Sequence, residues 1–241
     1  MEYHSIRQLE ELCKTEQKPV WKIVLKAEQT ETDETEKQIF ERMRQMYHEM
    51  KAAAGSCGVI PAVLISYEEV VAESEESGDD LAEDRMVQAL FTAAGIGKVI
   101  AENASIAGAS GGCQAEIGTA AAMAAGALTF LQGGTTRQIM QAAAFALKNM
   151  LGLTCDPVGG LVEVPCIKRN VAGVVNAISA AQLAMAGIVS AISPDDTIDS
   201  MRRIGNELPV CLKETGMGGL AVTESAKKIM KKMLNVTEML K

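Results

Sequence analysis

Alanine and glycine dominate the chain from residue 85 to residue 192, and only 3% of its 241 residues are aromatic. Small side chains of this kind favour closely packed helices, whereas sheets are rich in aromatic and β-branched residues. The apolar spacing predicts helices near residues 85–102, 114–131, 136–151 and 169–192. With 48% hydrophobic residues, the chain can bury one sizeable core. We therefore expect an all-α fold, a compact bundle of Ala/Gly-rich helices.

The first 51 residues are more charged and have an amphipathic pattern. Ser5 with Gln8 resembles a capping box, and Pro19 fits the first turn of a second helix. Residues 33–51 carry apolar residues at a 3.6-residue period, which predicts a third helix. Because the composition changes after Lys51, we divide the chain into N-terminal amphipathic helices (1–51) and a larger helical domain (52–241). The acidic residues 68–84 are predicted to be a solvated loop with helix ends.

The charge balance bears on nucleic acid as a partner, and one uncharged stretch bears on a membrane. The chain has 23 Lys and Arg against 31 Asp and Glu, a net charge of −8, and no basic cluster, which argues against nucleic acid as a partner. Residues 171–192 are uncharged and long enough to cross a bilayer. Their alanine, glycine and polar residues contribute little insertion energy, so a buried helix is favoured over a membrane span. Ser193, Pro194 and Asp195 then predict the start of another helix.

Six cysteines are too few for a disulfide scaffold, and the N-terminus does not read as a secretory signal, so we expect reduced thiols in a cytoplasmic protein. Cys113, Cys155 and Cys166 each lie beside glycine or proline, where loops and helix ends can direct several sulfurs at one centre. Their spacing does not match a zinc ribbon. Without a nearby histidine, three thiolates suit an iron–sulfur cluster or a zinc site that lacks one ligand. On spacing and context alone, metal ligands and inert packing thiols are equally favoured.

Several stretches around these cysteines resemble one known family. The matching stretches are residues 103–109 (NASIAGA), 112–118 (GCQAEIG), 155–160 (CDPVGG), 164–170 (VPCIKRN) and 212–221 (LKETGMGGLA). In this order they resemble the iron–sulfur-dependent L-serine dehydratases, and in particular the alpha chain of the two-subunit bacterial type. The resemblance covers about residues 55–221, and with it the metal-binding interpretation becomes the favoured one.

The resemblance implies a 4Fe-4S cluster as cofactor, with Cys113, Cys155 and Cys166 as its protein ligands and one iron left open for water or substrate. The larger domain is then an iron–sulfur catalytic domain with the cluster cysteines on loops and helix ends. Packing is the preferred interpretation of the other three thiols, Cys13, Cys57 and Cys211.

The implied activity is that of an L-serine ammonia-lyase, which converts L-serine into pyruvate and ammonia in serine catabolism and gluconeogenesis. The open iron would act as a Lewis acid on the substrate hydroxyl. The resemblance places the catalytic base on a beta chain with a Ser-His-Thr motif, so we expect a hetero-oligomer. We nominate Arg169 for the substrate carboxylate, although a helix-end charge is an equal alternative. Further polar groups near the substrate are Asn103, Ser105, Gln114 and Asn170.

One departure from the family pattern bears on activity. Family alpha chains carry several dozen more residues before the turn at residues 55–61 (GSCGVIP), including a Ser-Gly-x-Thr-Gly-Gly stretch, whereas here Lys51 is followed almost directly by that turn. The chain therefore resembles a form shortened near residues 51–54. The alternative function is a shortened, non-catalytic paralogue that binds a cluster or a beta chain.

Overall fold

A computed structural model describes residues 2–57 and 80–239, and within them the chain is helical with no β-strand beyond an isolated bridge between Cys155 and Lys213. The predicted all-α class is confirmed. The α-helices are α1 (Ile6–Glu16), α2 (Val20–Glu31), α3 (Glu36–Cys57), α4 (Asp80–Asn103), α5 (Gly108–Gly111), α6 (Cys113–Leu131), α7 (Thr136–Asn149), α8 (Cys166–Met185), α9 (Pro194–Glu207) and α10 (Glu224–Met239). Three short 3-10 turns add Val158–Gly160, Val210–Leu212 and Gly219–Val222.

Helix α6 is the centre of the bundle. It packs against α4, α7 and α8, and its buried residues Ala121, Ala122 and Ala125 belong to the main apolar core. Alanine faces let helix axes approach closely, because no long side chain separates the backbones. The Ala-rich composition therefore specifies a bundle around one apolar helix.

The N-terminal helices share this core. Ile6 and Leu9 are fully buried in the same cluster as the alanines of α6. Helix α3 runs through residues 51 and 52 without a break, and the division into residues 1–51 and 52–241 stays a prediction. Residues 58–79, which include most of the predicted acidic loop and the turn after Cys57, lie outside the described residues.

Helix starts follow the local signals with small differences. The Ser5 hydroxyl oxygen accepts a hydrogen bond from the N–H of Gln8 at 3.1 Å, but the Gln8 side chain returns to His4 rather than to Ser5. Pro19 lies immediately before the first helical residue, Val20, instead of inside the first turn. The predicted start at Ser193 is confirmed, since its hydroxyl accepts from the N–H of Asp196 at 3.0 Å.

Asp195 also caps a second, distant helix. Its two carboxylate oxygens accept hydrogen bonds from the N–H groups of Ile6 (2.7 Å) and Arg7 (3.0 Å). The first turn of a helix has N–H groups without intrahelical partners, and a carboxylate there satisfies them and complements the helix dipole. Asp195 therefore joins the start of α1 to the start of α9.

The predicted buried helix at residues 169–192 is wrong in its last seven residues. Helix α8 ends at Met185, because Gly187 takes φ +80° and the N–H of Ile188 turns back to the carbonyl of Leu183. Ile188, Val189 and Ile192 are about half exposed beyond it. In the described ranges, no helix combines the length and apolar character needed to cross a bilayer.

Candidate metal centre

The three nominated cysteines occupy two helix starts and one loop. Cys113 is the first residue of α6 and Cys166 the first residue of α8. Cys155 lies between α7 and α8, where its N–H donates to the carbonyl of Leu212 at 2.9 Å and its own carbonyl accepts from the N–H of Glu214 at 2.7 Å. This pairing ties the cysteine loop to a segment almost sixty residues later in the chain.

Two of the thiols and one carboxylate converge. The Sγ atoms of Cys113 and Cys155 and a carboxylate oxygen of Glu116 all lie within 4.8 Å of one another. Glu116 is on the same helix face as Cys113, three residues further along. Gly108 lies against this group, since a Cβ atom added there would be 3.0 Å from the Cys155 Sγ and 3.1 Å from the Glu116 Oε2. Only glycine lets the backbone of α5 approach so closely.

Cys166 does not belong to this converging group. Burial raises the pKa of Cys166, and the charge of Cys113 raises it further. Burial also raises the pKa of Cys155 to about 12, with a contribution from Cys113. For Cys113 burial again raises the pKa, while Arg169 acts in the opposite direction. Burial thus disfavours the thiolate forms of these cysteines, and a bound cation would stabilise them.

The donor set fits a metal centre. Thiolate ligands select zinc and iron–sulfur clusters over hard cations such as magnesium. Two of the three sulfurs stand at the N-termini of long helices, where the helix dipole favours negative charge. Cys13 is buried in the main core and Cys211 is half-buried, and neither belongs to the converging group. The side chain of Cys57 lies outside the described residues.

Arg169 stands beside the thiols and is held by a buried carboxylate. Its Nη1 lies 2.7 Å from Oδ1 of Asp156 and donates to the carbonyl of Thr154 at 2.7 Å. Asp156 in turn accepts from the N–H of Leu220 at 2.7 Å through its other oxygen. Arg169 lies in the first turn of α8, where the helix dipole disfavours a cation, so its position depends on Asp156 rather than on the helix end.

Two of the remaining nominated residues, Gln114 and Asn103, form hydrogen bonds with backbone groups of this chain. Gln114 is fully buried; its Nε2 donates to the carbonyls of Gly111 and Met201, and its Oε1 accepts from the N–H of Gly152. The Asn103 amide donates to the carbonyls of His4 and Val99.

Ser105 and Asn170 have fewer contacts. The Ser105 hydroxyl oxygen accepts from the N–H of Ala107, and Ser105 lines a cleft against α9 whose lining contains no cysteine. Asn170 is half-buried one residue after Arg169. The structure thus brings Arg169 and Cys113 together, while the Asn103 and Gln114 side chains bond to backbone groups; their predicted places near the substrate stay predictions.

Three acidic residues at the site carried no role in the sequence prediction. Asp156 forms an ion pair with Arg169, and a carboxylate oxygen of Glu116 lies within 4.8 Å of the Sγ atoms of Cys113 and Cys155. Burial is the larger cause of the raised pKa of Glu116, and the charge of Glu214 is the smaller one. The position of Glu116 three residues after Cys113 on a predicted helix was a usable signal. Glu214 had no such signal, because only the long-range pairing with Cys155 brings it there.

Comparisons with known proteins show which family the chain resembles. Residues 50–221 match the family model of the serine dehydratase alpha chain. The chain is 51% identical over 180 residues to a probable L-serine dehydratase alpha chain of Bacillus subtilis, covering 75% of this chain and 57% of that protein. It is 51% identical over 170 residues to a probable L-serine dehydratase alpha chain of Latilactobacillus sakei, covering 70% and 78%. It is 44% identical over 181 residues to the L-serine dehydratase alpha chain of Peptoniphilus asaccharolyticus, covering 75% and 59%. The chain thus spans less than two thirds of the first and third of these relatives.

Proposed function

The chain belongs to the serine dehydratase alpha chain family, and we propose that it is the cluster-binding subunit of an L-serine ammonia-lyase, which converts L-serine into pyruvate and ammonia. The observation that carries the proposal is the group of buried thiols beside Arg169, inside the region that matches the family. Sulfur ligands and a guanidinium together suit an amino acid substrate that must be both held and activated.

The proposed cofactor is a 4Fe-4S cluster held by Cys113, Cys155 and Cys166. When bound, such a cluster with one iron not ligated by cysteine supplies a Lewis acid for the β-hydroxyl, a poor leaving group. The support from this chain is the convergence of Cys113 with Cys155, the effect of Cys113 on the pKa of Cys166, and the soft-ligand chemistry of the set.

Arg169 is the proposed contact for the substrate carboxylate. A guanidinium offers five N–H donors; Nη1 contacts Asp156 and Thr154, and the group also interacts with the Cys113 thiol. The remaining donors can bind a carboxylate as a fork, which fixes its orientation. Asn170 and Ser105 are proposed as further polar contacts, whereas Gln114 and Asn103 are proposed to position the surrounding helices.

The base that removes the α-proton is proposed to come from a beta chain. The two histidines of the chain face other partners: His4 Nδ1 lies 3.1 Å from Glu102, and His48 Nε2 lies 3.3 Å from Glu83. Neither is among the groups whose charge reaches the cysteines. A base must lie within hydrogen-bond reach of the proton it takes. The family resemblance, which places the base on a beta chain, supports a second polypeptide as its source.

An exposed apolar surface beside the thiols supports a protein partner there. We call it the apolar rim; its residues are 41–69% exposed and comprise Leu161, Val162, Val164, Val210, Met217 and Leu220. The two segments that carry it pack together, since a Cβ added at Gly216 would be 3.3 Å from the carbonyl oxygen of Pro157. Apolar patches of this kind mark interaction surfaces. We propose that the beta chain docks on the apolar rim and forms a hetero-oligomer.

The test is to produce the chain anaerobically with and without its beta chain and to measure pyruvate released from L-serine. We expect pyruvate only when both chains are present. A two-chain complex that binds the cluster and releases no pyruvate would instead support the shortened, non-catalytic paralogue. A chain without iron or sulfide would contradict the proposed function, and if it also failed to bind the beta chain it would contradict the alternative as well.

A further inference from the structure

The Glu116 carboxylate lies at the solvent-exposed edge of the thiol pair. No hydrogen bond or ion pair joins it to any other residue in the described part of the chain. The nearby cation, Arg169, is paired with Asp156. The Glu116 carboxylate is therefore not committed to another group of the described residues and is available as a metal ligand.

The packing directs this carboxylate at the thiols. One of its oxygens lies within 4.8 Å of the Sγ atoms of both Cys113 and Cys155. The missing side chain at Gly108 leaves room for the Glu116 Oε2 and the Cys155 Sγ against the same stretch of backbone. Because Glu116 and Cys113 project from successive turns of α6, the helix fixes their relative position.

We propose that Glu116 is an oxygen ligand of the iron that the three cysteines leave open. This inference rests on the proposed cluster and deepens it by naming what holds the fourth position when no substrate is bound. Carboxylates bind non-haem iron in proteins, and the position of the Glu116 oxygen near both Sγ atoms places it within reach of a metal held by those thiols. The expected consequence is retention of the labile iron by a group of this chain.

The experiment compares wild-type chain with Glu116→Gln and with the control Glu214→Gln, each purified anaerobically and enriched in ⁵⁷Fe. Ferricyanide removes one electron from the cluster, which can then release one ferrous ion and leave a three-iron cluster. The rate of iron release and the growth of the three-iron signal in electron paramagnetic resonance are measured together. The Mössbauer spectrum of the resting protein reports the environment of the fourth iron.

We expect Glu116→Gln to release iron severalfold faster than wild type and to shift the Mössbauer signal of one iron. Glu214→Gln removes a neighbouring charge and no ligand, so it should behave like wild type. If Glu116→Gln does not fold, Glu116→Asp keeps the charge, shortens the reach by one methylene, and should show the same defect in weaker form.

The outcomes separate this inference from the proposed function. Equal release rates and identical Mössbauer spectra in the wild type and in a folded Glu116 variant would overturn the ligand role and leave the cluster assignment standing. Equal acceleration by Glu214→Gln would also overturn it, because charge rather than ligation would then control the iron. Wild-type chain without any cluster would refute the proposed function itself.

Discussion

The Nη1 atom of Arg169 lies 2.7 Å from Oδ1 of Asp156, in the buried wall next to the cysteines. The Asp156 side chain is 3% exposed and that of Arg169 is 17% exposed, so water screens the pair weakly. Asp156 follows Cys155 directly, and Arg169 follows Cys166 by one helical turn. The ion pair thus connects the loop and the helix that present two of the proposed ligands.

We predict that Asp156→Asn destabilises the fold, because it leaves the Arg169 charge without its anion in a largely buried position. The expected loss is roughly 3 kcal/mol of unfolding free energy, measured by urea denaturation. Asp199→Asn is the matched control, since it removes an ion pair with the exposed Arg203 and should have a much smaller effect. Equal losses would show that Asp156 does not stabilise the site through Arg169.

We predict that Cys113→Ser removes nearly all of the broad visible absorbance and most of the bound iron. Serine lacks the soft sulfur donor that the cluster needs. Cys13→Ser, in the main core and outside the thiol group, should retain both. The measurement is the absorbance spectrum and iron content of anaerobically purified protein. Full colour in both variants would rule out Cys113 as a ligand.

Gly108→Ala should lower iron content severalfold without unfolding the chain. The new methyl group would lie 3.0 Å from the Cys155 Sγ and 3.1 Å from the Glu116 Oε2, which is too close for either to keep its place. Gly97→Ala is the control: it lies inside α4, and its methyl group would meet the flexible end of Met123. Iron analysis gives the iron content of both variants, and circular dichroism shows whether each is folded. A folded Gly108→Ala variant with the iron content of the wild type would contradict the prediction.

Charged substitutions in the apolar rim should weaken binding of the beta chain. Val162→Asp and Val210→Asp each bury a carboxylate in the proposed interface, and we expect at least about a tenfold higher Kd, equivalent to ~1.4 kcal/mol. Val175→Asp changes an equally exposed valine on the outer face of α8 and serves as the control. Calorimetric titration with the beta chain gives the comparison. Unchanged affinity in the rim variants would place the interface elsewhere.

Cys13 provides a pH-dependent prediction away from the metal site. Burial raises its pKa to about 11, from an ordinary value near 9. Between these two values the folded chain keeps a proton that the unfolded chain loses, so the free energy of unfolding falls as pH rises through this window. The free energy of unfolding of the wild type should therefore fall relative to that of Cys13→Ala from pH 9 to 11, and the difference between the two should stay constant at lower pH. A constant difference across the whole pH range would contradict the raised pKa of Cys13.

Local sequence signals predicted the helices and their starts well. Ser193 with Pro194, and Ser5 with Gln8, form helix starts because capping depends on residues a few positions apart. The end of α8 was missed because the uncharged residues after Gly187 continue the apolar composition, although the backbone has already turned.

The candidate site was predictable only where its chemistry lies in short motifs. The three cysteines stand out by their glycine and proline neighbours, and the resemblance supplied their roles. Gln114 is predicted to be a polar group near the substrate, but nothing in its local pattern indicates the hydrogen bond to the carbonyl of Met201, 87 residues away. The pairing of Cys155 with Lys213 likewise has no local signature. Such contacts depend on the packing of the complete bundle, which residue patterns alone do not encode.

The carboxylate of Asp195 that caps α1 has a consequence for biosynthesis. Domains generally form as units as the nascent chain lengthens, and the start of α1 cannot meet its cap until residue 195 has left the ribosome. Until then the N–H groups of Ile6 and Arg7 lack the Asp195 carboxylate as a hydrogen-bond partner. The hydrogen bonds that fix the start of α1 to α9 can therefore form only after residue 195 has been synthesised.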